Sequence, residues 1–328
     1  MRRPNLHVET NAEVLKVVLQ GRKATGVQYR KHGATHEVQG REIILSGGAI
    51  GSPQLMELSG LGQGERLRSL GIAPVADLPA VGEYLQDHYL VFVVQNLKNI
   101  AGLGRELTGW RAAWNGARYL FTNSGYLKGL PTQANGHCDV NVDGETVGLQ
   151  FMGMPLSFNR DPVKKTVVLN PEPAMMLGVN ACRPRSMGST HIVGTTLGDK
   201  PSILTNFMSD EQDVKATIAG LRLCREIISQ PALAPFLDTE VGPGKDVQSD
   251  AELEAYARAA GASAYHPVGT CRMGTDVATS VVDRRCKVHG IDGLRIVDAS
   301  IMPRITSANT HAPTVALAER AADLIKGG

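Results

Sequence analysis

Short segments of alternating apolar and polar residues open the chain and predict β-structure. They are NLHVET (residues 5–10), EVLKVVLQ (13–20) and ATGVQYRK (24–31), and glycines at 21 and 33 interrupt the pattern. A fully apolar run follows at residues 43–45, directly before Gly47 and Gly48. Since Ser52 and Pro53 form a favourable helix start, the pattern predicts a buried strand, a tight turn and a helix that begins near Ser52.

The middle of the chain, residues 79–264, has a different pattern and predicts a separate domain. Amphipathic stretches at 105–122 and 210–229 indicate helices, and TVVLN (166–170) and SILTNF (202–207) indicate short strands. Ser249 and Glu252 have the spacing of a helix capping box. The predicted division is therefore 1–78, 79–264 and 265–328, with the last segment returning to the first domain.

Two histidines near the C-terminus are the strongest candidates for chemistry. His266 lies in YHPVGTCRMG, where proline and glycine exclude a regular helix or strand, so its imidazole belongs to a loop that a ligand can approach. His311 lies two residues before Pro313, which suits the first turn of a helix predicted over 313–326 and ended by Gly327. The positive end of a helix next to His311 favours a neutral imidazole or a bound anion.

The strand predicted in DGLRIVDASIMP (292–303) ends at Asp298, shortly before the His311 segment. Strand ends, turns and helix starts of this kind converge on one crevice in parallel α/β sheets. We therefore expect a site built from the Gly48 turn, Asp298 and the two histidines. The glycine pair by itself is a weak signal, because many strand-to-helix turns need glycine for steric reasons, and the chain contains no complete GxGxxG.

Composition and charge exclude several classes of function. The chain of 328 residues is 42% hydrophobic and carries 34 Lys and Arg against 32 Asp and Glu, a formal charge of +2, which is typical of a globular protein. Few aromatic residues and no basic run argue against nucleic acid binding. No apolar stretch is long enough for a membrane span and the N-terminus lacks a signal peptide, so we expect a cytoplasmic protein.

The cysteine and histidine spacings argue against other reaction classes. Five cysteines with no CxxC pair predict reduced thiols and neither a disulfide framework nor a zinc site. Cys271, close to His266, is expected to be a buried small residue and not a nucleophile. A metal-dependent hydrolase is disfavoured because no HxxxH or HExxH occurs. His88 beside Asp87 could be read as a base, but we expect a structural role.

Four segments in order resemble the glucose–methanol–choline (GMC) oxidoreductases, flavoproteins that oxidise alcohols with FAD. They are REIILSGGAIGSPQLMELSGLG (41–62), DLPAVGEYLQDH (77–88), HPVGTCRMG (266–274) and VVDRRCKVHGIDGLRIVDASIMP (281–303). The resemblance implies a two-domain α/β (α+β) fold. It comprises an incomplete Rossmann-like FAD-binding domain and a substrate-binding domain that has an antiparallel sheet with flanking helices.

The resemblance also implies roles for individual residues. His266 would be the catalytic base and His311 its partner. Val14 would contact the adenine side of FAD, while Gly48, Ala49 and Ser52 would line the dinucleotide cleft. Near the flavin it places Asp298, Ala299, Thr310, Pro313 and Thr314. Asp298 could equally cap the turn that follows it, His311 could serve only at the helix start, and Val14 could be a core residue as well as a contact.

The expected function is oxidation of an alcohol to the carbonyl, by removal of the hydroxyl proton and hydride transfer to flavin N5. The apolar and methionine side chains of residues 148–159 suit a nonpolar or mid-sized alcohol, and the electron acceptor could be oxygen, a quinone or a carrier. In the family, the GxGxxG, acidic ribose-binding and glycine–serine segments precede the equivalent of Arg3. The alternative is therefore a truncated, non-catalytic remnant that cannot bind FAD without a complementary N-terminal polypeptide.

Overall fold

The structure is a computed structural model, and it describes residues 3–129, 132–160 and 167–327. The outermost ends of the predicted segments 1–78 and 265–328, and Thr166 of TVVLN, lie outside the described residues. The strands, numbered in chain order, are β1 Glu13–Gln20, β2 Lys23–Lys31, β3 Ala34–Gln39, β4 Ile43–Leu45, β5 Leu61–Gly62, β6 Ala76–Asp77, β7 Tyr89–Leu97, β8 Ala134–Val142, β9 Glu145–Met154, β10 Phe158–Arg160, β11 Val167–Leu169, β12 Ala174–Ala181, β13 Ser189–His191, β14 Ser202–Leu204, β15 Leu237–Gly242, β16 Ala262–Ser263 and β17 Leu294–Ile296.

Besides the α-helices, the described residues form short 3₁₀ turns at Tyr126–Lys128, Ala234–Phe236 and Ala299–Ile301. The α-helices are α1 Gly48–Leu58, α2 Gly64–Ser69, α3 Leu103–Glu106, α4 Gly109–Thr122, α5 Glu211–Ile228, α6 Asp250–Ala260 and α7 His311–Lys326. The predicted helix at 210–229 is confirmed as α5, and the one at 105–122 is confirmed but divided into α3 and α4. The capping box of Ser249 and Glu252 at the start of α6 is confirmed.

The chain divides into two compact units. Unit 1 comprises Met1–Asp87, Ser186–Phe207 and Tyr265–Gly328, and unit 2 comprises His88–Arg185 and Met208–Ala264. The first boundary thus falls at residues 87 and 88, where the sequence suggested 78 and 79. Residues 186–207 return to unit 1 because β13 begins beside a backbone pairing of Leu85 with Gly188.

Unit 1 contains an antiparallel sheet, β1-β2-β3, and the parallel pairs β4–β17 and β5–β6. Its core includes Ile43 and Leu45 of β4, Leu294 and Ile296 of β17, and Met56 of α1. The strand predicted at NLHVET is wrong: residues 6–10 have no regular structure, and Leu6 and Val8 are 49% and 67% exposed. Two apolar residues without a covering surface gain too little burial to fix a strand.

Unit 2 is built on an antiparallel sheet with the order β15-β7-β12-β9-β8, to which β16 adds by pairing with β7. Helix α5 packs on this sheet and α6 packs beside α5. The core of the unit includes Val91, Phe151 and Val179 from the sheet and Leu221 from α5. A mixed α/β architecture with an antiparallel sheet confirms the predicted fold class.

Candidate functional site

The turn that follows β4 is held by the residue that follows β17. The two strands are parallel, with Ile43, Ile44 and Leu45 in register with Leu294, Arg295 and Ile296. Their carboxyl ends therefore lie together, and each is followed directly by predicted site residues. The hydroxyl of Ser46 donates to the carbonyl oxygen of Val297 at 3.0 Å, which ties the two strand ends to each other.

Asp298 is the centre of this junction. The residue is buried, with 6% of its surface exposed. Oδ2 accepts the N–H of Gly48 at 2.9 Å and the hydroxyl of Ser52 at 2.6 Å, while Oδ1 accepts the N–H of Ser300 at 2.8 Å. The Ser52 oxygen also accepts the N–H of Gly47 at 3.0 Å. Asp298 thus caps its own 3₁₀ turn and fixes the start of α1 at the same time.

These bonds explain why the predicted helix start was wrong by four residues. Ser52 and Pro53 lie inside α1, which begins at Gly48 with Gly47 as its N-cap. The backbone N–H groups of Gly47 and Gly48, left without helical partners at such an end, are satisfied by Ser52 and Asp298. Gly48 has a φ of +75°, and an added Cβ there would meet no atom within 4 Å. A glycine is therefore required at position 48 because of its positive φ, and not because a larger side chain would meet neighbouring atoms.

Ala49 links the start of α1 to the loop that carries His266. Ala49 is buried, and its carbonyl oxygen accepts the hydroxyl of the fully buried Thr270 at 2.7 Å. The same loop is held through its backbone, because the N–H of His266 donates to Asp87 Oδ1 at 2.8 Å. Gln86 and Val268 exchange two backbone hydrogen bonds. His266 is half-buried on a loop with a fixed backbone, as predicted from its proline and glycine neighbours.

His311 is the first residue of α7 and is exposed. The helix starts two residues earlier than predicted, so Pro313 occupies its first turn, where a missing N–H costs nothing. Thr310 is buried, and its carbonyl oxygen accepts both the N–H and the hydroxyl of Thr314, at 3.0 and 2.7 Å. The prediction of a histidine at a helix N-terminus is confirmed.

Residues 298–305 join these parts into one assembly within unit 1. The carbonyl oxygens of Ser300 and Ile301 accept the N–H groups of Cys271 and Met273, at 3.0 and 2.8 Å. Val268, Met302 and Ile305 form a small buried cluster, against which Ala299 and Leu317 of α7 pack. The segment thus contacts the Gly48 turn, the His266 loop and the His311 helix. Val14 lies elsewhere, half-buried in β1 and in register with Tyr29 of β2.

Cys271 is fully buried behind the loop, as predicted. Burial raises the pKa of its thiol well above the ordinary value, and the Asp298 carboxylate adds to the effect. A thiol with a raised pKa is a poor nucleophile, which removes the cysteine–histidine alternative. All five cysteines are free thiols in the structure. His88 is also fully buried, with Nε2 3.0 Å from the carbonyl oxygen of Cys182.

A buried ionisable cluster was not anticipated from the sequence. His191 of β13 lies between two carboxylates: its Nδ1 is 2.7 Å from Glu57 Oε1 and its Nε2 is 3.1 Å from Glu83 Oε1. Glu57 Oε2 also accepts the N–H of Ile192 at 2.8 Å. Each ring nitrogen of His191 thus lies within hydrogen-bonding distance of a carboxylate oxygen, and which nitrogen donates depends on the tautomer. The only sequence signal was a glutamate inside the apolar helix segment LMEL.

The described part of the chain holds no group of three or more His, Cys, Asp or Glu side chains arranged to bind a metal. Within the same residues, no helix is both long enough and apolar enough to cross a lipid bilayer.

Family models of GMC oxidoreductases match both ends of the chain, one over residues 1–90 and another over residues 184–318. The chain belongs to the GMC oxidoreductase family. Among curated proteins it is similar to the oxygen-dependent choline dehydrogenase of Staphylococcus aureus strain MSSA476, with 39% identity over 329 aligned residues. The alignment covers 100% of this chain and 57% of that relative, so the chain spans a little over half of the relative's length.

Solved GMC-like structures agree with the fold. Pyridoxine 4-oxidase from Mesorbium loti is 25% identical, with a TM-score of 0.81 over 97% of this chain and 57% of its own. An FAD-dependent oxidoreductase from Chaetomium thermophilum is also 25% identical, with a TM-score of 0.81 over 99% of this chain and 62% of its own. Formate oxidase of Aspergillus oryzae RIB40, at 24% identity and a TM-score of 0.86, covers 96% of this chain and 60% of its own, and supports the fold alone.

Proposed function

We propose that this chain carries the catalytic histidines of an FAD-dependent enzyme that oxidises an alcohol to its carbonyl compound. The observation that carries the proposal is the contact of residues 298–305 with three elements at once: the α1 turn, the His266 loop and the α7 start. Family membership supplies the class of chemistry. These elements give the proposed cofactor-binding and catalytic residues a backbone that is fixed by hydrogen bonds and packing.

The residues around the Gly48 turn fit a dinucleotide. Gly48 faces open space at a helix N-terminus, where backbone N–H groups and the helix dipole favour phosphate. We propose that Gly48, Ala49 and Ser52 line the cofactor cleft, that Val14 lies toward the adenine, and that the flavin end is approached by Asp298, Ala299, Thr310, Pro313 and Thr314. Because both carboxylate oxygens of Asp298 accept hydrogen bonds from protein groups, we assign Asp298 mainly to fixing the conformation of the Gly48 turn. Bound FAD would supply the acceptor for the hydride that leaves the alcohol carbon.

The protein's part in the reaction is to take the hydroxyl proton. An imidazole is the side chain best suited to accept a proton near neutral pH, and we assign this role to His266. The bond from its backbone to Asp87 fixes the loop that presents the ring. His311, exposed at the start of α7, would donate a hydrogen bond to the alcohol oxygen and hold it in place.

The test uses the purified 328-residue chain, incubated with FAD and freed of unbound cofactor. A retained flavin absorption that bleaches without oxygen on addition of choline or a mid-sized apolar alcohol supports the proposal. His266→Ala should abolish the bleaching while FAD stays bound, and His311→Ala should reduce the bleaching less. As a control, His7→Ala changes an exposed histidine distant in sequence from both and should leave the bleaching unchanged.

Three results would count against the proposal. Unchanged bleaching in His266→Ala would overturn the assignment of the base. A flavin-binding chain that no alcohol bleaches would overturn the reaction. A chain that stays colourless would favour the alternative, a non-catalytic polypeptide that needs a complementary one to bind FAD.

A further inference from the structure

Both tryptophans of the chain lie on one exposed face of α4 in unit 2. Trp110 and Trp114 are 75% and 66% exposed, and Phe121 on the same face is 88% exposed. The spacings of four and seven residues place the three rings in one stripe along the helix. Leu120, 79% exposed, widens the stripe. A contiguous aromatic surface of this kind is unusual on a protein that faces only water.

The orientation of α4 is fixed by its opposite face. Asn115 is 4% exposed, and its Nδ2 donates to the carbonyl oxygens of Glu106 and Arg111, at 2.8 and 3.1 Å. Turning the helix to bury the stripe would expose Asn115 and break its bond to Glu106 of α3, whereas the bond to Arg111 lies within α4. Asn123, in the left-handed conformation, ends the helix directly after the stripe. The aromatic face is therefore held outward by the contact of α4 with α3.

The segment that carries the stripe has a positive net charge. Residues 98–128 contain five basic side chains and one acidic one, Glu106, so their net charge is 5 − 1 = +4, while the whole chain carries +2. The rest of the chain is consequently at 2 − 4 = −2. Helix α4 itself contains two arginines and neither aspartate nor glutamate. The basic side chains of residues 98–128 are Lys98, Arg105, Arg111, Arg118 and Lys128.

We propose that this face of α4 binds the surface of an anionic lipid bilayer, with the helix lying in the plane of the interface. Tryptophan and phenylalanine enter the boundary between headgroups and acyl chains, and arginine and lysine at the edges of the stripe pair with lipid phosphates. One partner thus accounts for both the apolar stripe and the basic rim. A second copy fits less well, because a two-fold dimer on this face would bring two regions of +4 together.

Tryptophan fluorescence tests the proposal without a label, since both tryptophans lie on the proposed contact face. The full chain is titrated with vesicles of phosphatidylcholine alone and of phosphatidylcholine mixed with phosphatidylglycerol, and binding is checked by co-sedimentation. On the mixed vesicles we expect a blue shift and an apparent affinity at least about tenfold higher than on the neutral ones, decreasing with salt. No shift and no sedimentation with mixed vesicles would overturn the proposal.

Variants separate the two parts of the surface. Phe121→Ser should weaken sedimentation with mixed vesicles by about tenfold or more, whereas Val8→Ser, at a comparably exposed apolar position in unit 1, should not. Arg118→Gln should reduce the preference for anionic over neutral vesicles. Equal binding by the Phe121 and Val8 variants would overturn the role of α4. A blue shift that grows with protein concentration in the absence of lipid would overturn it in favour of self-association. None of these outcomes depends on FAD or on His266.

Discussion

The substitution Glu57→Gln should destabilise unit 1 far more than Glu83→Gln, although both carboxylates contact the same imidazole. The Glu57 side chain is completely buried and serves His191 and the N–H of Ile192, whereas the Glu83 side chain is 36% exposed. A glutamine at 57 has a single acceptor oxygen, so once that oxygen accepts the N–H of Ile192, the amide N–H₂ can bond His191 Nδ1 only if this nitrogen carries no proton.

The magnitude follows from this difference in burial. Breaking a buried pair by changing one partner costs about 3–5 kcal/mol, and a partly exposed pair is worth about 0–1 kcal/mol. We expect a loss of roughly 3 kcal/mol for Glu57→Gln and of at most about 1 kcal/mol for Glu83→Gln. Against a typical total of about 5–15 kcal/mol, the first loss is large and the second is small.

Urea unfolding followed by far-ultraviolet circular dichroism measures both losses, because the tryptophans lie in unit 2 and do not report on unit 1. Hydrogen exchange at the amide of Ile192 adds a local reading, and it should accelerate only in the Glu57 variant. If the two variants lose the same free energy of unfolding to within about 0.5 kcal/mol, the argument from burial is refuted. Differences smaller than this are within the scatter seen for the additivity of independent substitutions.

Three further outcomes concern cysteine reactivity, a glycine turn and acid stability. Alkylation of the native protein, read by mass spectrometry, should modify the partly exposed Cys138 well before the fully buried Cys271, and early modification of the latter would contradict its burial. Gly82→Ala should lower the melting temperature more than Gly71→Ala, because both have a positive φ but only at 82 would the new Cβ lie 2.3 Å from a facing carbonyl oxygen. Backbone N–H groups at the start of α6 lower the pKa of Glu252, so its contribution to stability is present above the ordinary value of 4.5 and is lost as the pH falls through the lowered one. Glu252→Gln should therefore reduce stability at neutral pH and flatten its fall in acid, as measured by unfolding at several pH values.

Local signals were sufficient for several elements. The periodicity of residues 210–229 predicted α5 because an apolar face repeats over a long stretch, and in the structure the Asp210 side chain caps the start of the helix. The capping box of α6, and a helix start within two residues of His311, were predictable for the same reason: each depends on side chains within one turn of the residues they stabilise. The burial of Cys271 followed from the glycine and proline around it.

Contacts between distant segments were not predictable from one sequence. Asp298 and Gly48 are 250 positions apart, so the bond that moves the start of α1 from Ser52 to Gly48 leaves no local pattern. The same holds for His191 between Glu57 and Glu83, whose partners are 134 and 108 positions away. The roles of the residues around Gly48, and of both histidines in catalysis, stay predictions that the flavin experiment addresses.

The pairing of β4 with β17 has a consequence for biosynthesis. Residues 88–264, which include all of unit 2, leave the ribosome before β17 does, so the sheet of unit 2 can close before β4 meets the strand that pairs with it. At about 5–20 residues per second, the roughly 250 positions between the two strands represent some 12–50 s of synthesis. During this time the apolar edge of β4 is a target for chaperones or for pairing with other chains. A nascent chain stopped at residue 264 should therefore contain a protease-resistant unit 2 and an unfolded remainder.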